Sequence, residues 1–109
     1  MHEPGYKSIT PRELKEKLTK GEEPVLLDIR EPWEFALASM EGSKLVPMTE
    51  ILDRVPELDP EAETIVICHH GVRSAYVARI LDHSGFESVY NLEGGLDAYS
   101  FVDSSVSRY

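Results

Sequence analysis

The chain has 109 residues, 41% of them hydrophobic and 28% charged, and a formal net charge of −9. That length supports one domain with one modest core and is too short for two. The acidic balance argues against nucleic acid and anionic membrane as general partners, since both would repel it, and apolar runs such as Val25-Leu26-Leu27 are far shorter than a membrane span.

Residues 6–9 read as a short strand. Thr10-Pro11-Arg12-Glu13 predicts a helix start, with Thr10 as N-cap, Pro11 in the first helical position and Glu13 completing a capping box. Leu14 and Leu18 share one face of that helix, and Gly21 ends it. Residues 25–29 are apolar except for Asp28, a pattern that suits a strand covered on both faces in a parallel sheet. Residues 31–36, with Pro32 in the first turn, predict a short helix, and residues 44–46 a brief strand ended by Pro47. Residues 49–55 predict one or two helical turns, with Thr49 capping and Ile51, Leu52 and Val55 facing inward; residues 58–61 form a turn.

The β-branched run at 64–67 predicts a buried strand. Residues 74–84 have helical spacing, with Val77, Ala78 and Leu81 inward and Gly85 as the stop. Residues 88–91 read as a last strand, 93–95 as a turn and 96–101 as a final helix. Residues 1–5 and 102–109 are expected to be irregular. Strand-helix alternation along the whole chain predicts a single α/β domain over residues 1–109, with a small, mainly parallel sheet.

The most informative segment is Ile65-Val66-Ile67-Cys68-His69-His70-Gly71-Val72-Arg73-Ser74, which holds the only cysteine in the chain. Cys68 falls at the C-terminal end of a predicted strand, on a short loop that feeds a helix N-terminus. Backbone N–H groups and the positive end of the helix dipole gather there, so the sulfur is expected to favour its anionic form. If the loop curls into a cradle, the amides of residues 69–74 converge on the sulfur. Arg73 adds its guanidinium, and His69 and His70 add partial positive character near neutral pH. His69, His70, Gly71, Val72, Arg73 and Ser74 are therefore the candidate substrate-binding residues around a catalytic Cys68.

Such a pocket takes a small anionic group attached to sulfur: either one more sulfur atom or a tetrahedral oxyanion. The spacing C-x-x-x-x-R is one residue shorter than the loop with which cysteine phosphatases cradle a phosphoryl group, which favours sulfur chemistry. The competing readings are an inert core cysteine, a surface charge at a helix start for Arg73, and a metal site made of Cys68, His69 and His70. Adjacent residues on one loop seldom supply three tetrahedral ligands, so no metal is expected. A lone cysteine makes no internal disulfide, and residues 1–5 lack a signal-peptide pattern, so a cytoplasmic location is expected.

Three segments together resemble the rhodanese domain of sulfurtransferases. Leu26-Leu27-Asp28-Ile29-Arg30-Glu31 with Glu34-Phe35 is similar to the family's N-terminal signature. Residues 67–75 resemble its active-site loop, and Gly85-Phe86 with Val89-Tyr90-Asn91-Leu92-Glu93-Gly94-Gly95 its closing signature. The segment Ala38-Ser39-Met40-Glu41-Gly42-Ser43 departs from the usual Gly-His-Ile turn, and Tyr99 stands where tryptophan is frequent. The resemblance implies the rhodanese-like fold, with helices on both faces of the sheet and the active loop at the strand C-termini. It also implies a two-step sulfur transfer. A small anionic sulfur donor such as thiosulfate leaves a persulfide on Cys68, and a thiophilic acceptor then removes that sulfur. No metal or organic cofactor is required.

Asp28 and Arg30 match signature positions and are expected to support the site as an ion pair, with Arg30 also a candidate for the pocket rim. Trp33 is expected to be a packing residue. The tail from Leu96 onward is similar to the end of rhodanese domains fused to adenylating enzymes of molybdopterin and thiamine biosynthesis, which suggests a sulfur-carrier protein as acceptor. The alternatives to a sulfurtransferase are a non-catalytic partner-binding or redox-sensing module of the same family, and a cysteine phosphatase or arsenate reductase.

Overall fold

The computed structural model describes residues 5–109. In chain order these form β1 (Lys7–Ile9), α1 (Pro11–Thr19), β2 (Val25–Asp28), α2 (Pro32–Leu37), β3 (Lys44–Leu45), α3 (Ile51–Arg54), β4 (Thr64–Ile67), α4 (Val72–His83), β5 (Val89–Leu92) and α5 (Gly95–Tyr99). A 3-10 turn flanks α3 on each side, at Met48–Glu50 and Val55–Glu57. The strands make one parallel sheet in the order β1-β5-β4-β2-β3.

The two most apolar strands lie next to each other, with Leu26 opposite Ile65 and Asp28 opposite Ile67. Successive strand residues point to opposite faces, and the core divides accordingly. Leu26, Ile65 and Ile67 pack with Ile9, Leu14, Leu92, Leu96 and Tyr99, under α1 and α5. Leu27 and Val66 pack with Ile51, Val77, Ala78 and Leu81, under α3 and α4. Helices thus cover both faces, as a fully buried parallel sheet requires. The predicted inward positions of α4 (Val77, Ala78 and Leu81) are all fully buried. The predicted cap of α1 is present: Glu13 N donates to Thr10 Oγ1 at 3.1 Å, and Thr10 N to Glu13 Oε1 at 2.9 Å.

Three local expectations are corrected. Thr49 caps nothing and sits inside the 3-10 turn that begins after Pro47. Leu52 is 71% exposed rather than inward-facing. The mixed 3-10 and α winding of residues 48–57 shortens the spacing toward three residues, so Met48, Ile51 and Val55 share the inner side and Leu52 is turned out. Trp33, on α2, is also largely exposed. The tail beyond α5 is irregular as expected, yet Val106 is buried in the α1/α5 side of the core. The expectation for residues 1–5 lies, except for Gly5, outside the described residues. No helix among the described residues is long and apolar enough to cross a membrane.

The parallel arrangement puts the loops that follow β5, β4 and β2 side by side at one edge of the sheet, and everything chemically distinctive about the chain gathers there.

Replacing fully enclosed Ile51 with alanine is expected to cost about 2–4 kcal/mol in denaturant unfolding. Leu52→Lys is expected to stay within about 0.5 kcal/mol of wild type.

Candidate active site

Strand parity decides which way the cysteine faces. Cys68 follows β4 two residues after Val66, so its side chain falls on the α4 side of the sheet and belongs to that half of the core. The chain then reverses at Gly71, whose φ of +93° lies in the left-handed region and which is the N-cap of α4. A Cβ at Gly71 would crowd the backbone of Leu92 and Gly94, so glycine is required there both sterically and conformationally. The turn aims the first amides of α4 at the sulfur. Gly71 N donates to Cys68 Sγ at 3.0 Å and Ser74 N donates at 3.3 Å. These N–H groups have no intrahelical acceptor, and they sit at the positive end of a twelve-residue helix.

The other side of the loop is held by α5. Leu96 N donates to the Cys68 carbonyl at 2.8 Å and Asp97 N to the His69 carbonyl at 3.0 Å. Such close docking requires Gly95, because a Cβ there would overlap the Cys68 and His69 carbonyls. The Gly94-Gly95 pair in the sequence has its physical reason in this contact. With its carbonyls turned toward α5, the loop leaves N–H groups for the sulfur.

A side-chain network completes the cradle. Ser74 Oγ lies 3.1 Å from Cys68 Sγ and donates to Asn91 Oδ1 at 2.5 Å. Asn91 Nδ2 donates in turn to the Gly71 carbonyl at 3.2 Å. Ser74 is fully buried and Asn91 nearly so.

The expected ion pair of Asp28 with Arg30 is present, but Arg73 and Arg30 are placed differently from expectation. Arg73 turns its guanidinium to Glu34 of α2 in a two-pronged pair, Nη1 to Oε1 at 2.8 Å and Nη2 to Oε2 at 3.0 Å. It remains close enough to Cys68 for the sulfur's charge to help raise its pKa, behind the larger effect of Glu34. Arg30 is not at a rim but fully buried. It grips Asp28 through Nε at 2.8 Å and Nη2 at 2.6 Å, and it donates to the Ala38 carbonyl. Burying such a pair is tolerable only when nearly every donor is satisfied, and here the Glu34 and Ala38 carbonyls and the Tyr109 hydroxyl accept the rest. Asp28 and Arg30 therefore pin the end of β2 to the chain that follows it.

His69 supplies less positive charge than expected. Burial and the neighbouring His70 hold His69 below its ordinary pKa, so it is mostly neutral at pH 7. His70 points largely to solvent, 3.8 Å from Asp97. Val72, a candidate substrate-binding residue, is 78% exposed. His69, His70 and Asp97 offer ligand atoms within 4.8 Å of one another. However, the two imidazoles stack at 4.0 Å, which sets their in-plane lone pairs side by side instead of converging on one ion, and Arg108 already engages Asp97.

Three residues of the site escaped the sequence reading. Glu34, Asn91 and Tyr109 come from α2, β5 and the tail, and only the fold brings them to the cysteine loop. Tyr109 stacks on His69 at 4.2 Å, receives a hydrogen bond from Arg30 Nη1 at 2.8 Å and donates to Glu34 Oε2 at 2.6 Å. Burial, and then the bond to Glu34, push its phenol up to about 12. Glu34 and Asn91 each lie within a matched signature segment, which was the available hint. Cys68 itself is only 1% exposed, so the sulfur is more enclosed than a loop position suggests.

The family described as Rhodanese-like domain matches residues 10–101. Among curated proteins, the chloroplastic rhodanese-like/PpiC domain-containing protein 12 of Arabidopsis thaliana is 40% identical over 94% of the chain, which spans only 37% of that protein's length. The thiosulfate sulfurtransferase GlpE of Ectopseudomonas mendocina is 35% identical, over 86% of this chain and 84% of its own. Among solved structures, a rhodanese-like domain protein from Staphylococcus aureus superposes with a TM-score of 0.84 at 33% identity, covering 94% of this chain and 98% of its own.

Two outcomes test this geometry. The Arg73 guanidinium and, secondarily, the Tyr109 hydroxyl hold the Glu34 carboxyl at about 2, down from 4.5. Its contribution to stability is therefore complete above pH 4.5 and is lost as the pH falls from there toward 2. Glu34→Gln should cost on the order of 2–3 kcal/mol at pH 7 and flatten the acid limb of the stability profile. Gly95→Ala should cost about 1–3 kcal/mol from the positive φ alone, with further loss from overlap with the loop; equilibrium denaturation reads both variants.

Proposed function

The chain belongs to the rhodanese-like domain family, and from that premise we propose that it is a sulfurtransferase carrying one sulfane sulfur on Cys68. The observation that carries this reading is the pair of main-chain N–H groups on Cys68 Sγ at the start of α4. A cysteine that merely fills a core has apolar neighbours and no such donors. Here the donors favour a sulfur anion, on either the free cysteine or its persulfide.

The reaction has two displacements. The Cys68 thiolate attacks the outer sulfur of an anionic donor such as thiosulfate, the new S–S bond forms, and sulfite leaves with the electron pair of the broken bond. An acceptor nucleophile then attacks the outer sulfur of the persulfide, and Cys68 departs as thiolate. The amides of Gly71 and Ser74 stabilise the same charge before and after each step. Asp28 and Arg30 act at a distance by fixing the neighbouring loop. Arg73 and Glu34 neutralise each other, so attraction of the anionic donor falls mainly to the main-chain dipoles. The enclosure of Cys68 means that donor and acceptor reach the sulfur only when its cover shifts. The acceptor in this reading is a thiol or a sulfur-carrier protein, in a thiol-reducing compartment such as the cytoplasm, and the steps need no further cofactor.

The enclosure of the sulfur favours one second reading, a family member that binds a partner without turning over sulfur. A phosphatase is disfavoured by the short loop and by the engagement of Arg73 with Glu34.

Mass spectrometry under non-reducing conditions separates the readings. After incubation with thiosulfate, the wild-type protein should gain the mass of one sulfur atom and lose it on addition of cyanide. Cys68→Ser should gain nothing and should show no thiosulfate:cyanide activity while keeping its fold. A wild-type protein that stays unmodified by thiosulfate and by persulfide donors, yet forms a stable complex with a partner, would establish the binding module instead.

A further inference from the structure

We propose that Asn91 is a positioning residue that competes with Cys68 for the single proton of the Ser74 hydroxyl, and so sets the pH at which the cysteine ionises. The proposal deepens the sulfur-transfer reading, which depends on a Cys68 thiolate.

The two amide atoms of Asn91 are distinguishable by what they face. A backbone carbonyl can only accept, so the atom 3.2 Å from the Gly71 carbonyl is Nδ2, and the atom facing Ser74 is Oδ1. Oδ1 has no proton to give, so in the contact between the two residues Ser74 must be the donor. A hydroxyl carries one proton. While that proton points at Asn91, Ser74 turns a lone pair toward Cys68 Sγ, 3.1 Å away. The contact is then attractive only when Cys68 is the donor, as a neutral thiol. Loss of the thiol proton leaves a sulfur anion facing a hydroxyl lone pair, and the hydroxyl must rotate from Asn91 to the sulfur. Ionisation of Cys68 thus costs one buried hydrogen bond between Ser74 and Asn91.

Other charged groups approach this loop from every side. Arg73 comes from α4, Glu34 from α2, Asp28 from β2, Arg30 from the chain just after it, Asp97 from α5 and Tyr109 from the tail, with His69 and His70 in the loop itself. All of them remain in each Asn91 or Ser74 variant, so comparison among the variants isolates the Ser74 proton. Asn91 also ties down the Gly71 peptide, whose N–H donates to the sulfur. A purely structural Asn91 would therefore have the opposite signature: its loss would loosen an amide donor and make Cys68 harder to ionise.

The test follows the ultraviolet absorbance of the thiolate against pH in the full chain, with the spectrum of Cys68→Ala subtracted to remove the tyrosines. Asn91→Leu, similar in volume and without an acceptor, should ionise about one pH unit earlier than wild type, the worth of one hydrogen bond. In a Ser74→Ala background the effect of Asn91→Leu should vanish. Ionisation of Asn91→Leu at or above the wild-type pH, or a shift that survives Ser74→Ala, overturns the proposal. Should the leucine variant fail to fold, Asn91→Val, neutral, without an acceptor and suited to a strand, decides: ionisation at or above the wild-type pH overturns it. The titration uses no sulfur donor, so failure of thiosulfate and of persulfide donors to load the protein would sink the sulfur-transfer reading and leave this result intact.

Discussion

The structure around the site depends on one constraint: a sulfur atom held against the unpaired amides at the start of α4. Two N–H groups meet Cys68 Sγ, and they can do so because the loop's carbonyls are drawn the other way, onto the amides that open α5. Neither set of bonds is possible without a glycine at a particular place. Gly71 makes the left-handed turn that swings α4 beneath the sulfur, and Gly95 lets α5 approach to hydrogen-bonding distance. The parallel sheet supplies the frame, since β5, β4 and β2 are neighbours whose C-terminal loops must meet at one edge.

Around that centre the charges cancel in pairs. Asp28 neutralises Arg30, Glu34 neutralises Arg73, and His69 is kept largely neutral by burial. Tyr109 links the pairs, accepting from Arg30 and donating to Glu34. The side chains next to the sulfur therefore bring little net positive charge, in a molecule whose overall charge is −9. What attracts an anion here is the oriented main chain, which works at short range and is insensitive to the distant surface charge. The paired side chains serve to hold the loops after β2 and β4 in register with each other.

Much of this was legible in the sequence, and the divisions have physical reasons. The strands at Val25–Asp28 and Thr64–Ile67 could be read because a strand buried on both faces is nearly continuously apolar. The α1 cap could be read because it is a contact between residues three apart. Residues 48–57 could not, since a helical period presumes one kind of winding and this segment alternates between two. The cysteine loop declared itself through its position between a strand and a helix. Its partners did not: Glu34 and Arg73 are 39 residues apart, and Arg30 and Tyr109 are 79 apart, so only tertiary structure joins them. Arg73 was expected to face the sulfur because nothing in the local sequence reveals a carboxylate better placed to receive it. Asn91 reads as an ordinary strand residue until β5 is seen to lie beside β4.

The most direct measurement of the central claim is the pH dependence of the Gly71 and Ser74 backbone amide resonances, compared between wild type and Cys68→Ala. Hydrogen bonds to the sulfur predict that both amides shift together, through the same transition as the thiolate absorbance, and that this transition is absent when the sulfur is removed. Amide resonances that stay fixed while the thiolate forms would contradict the account.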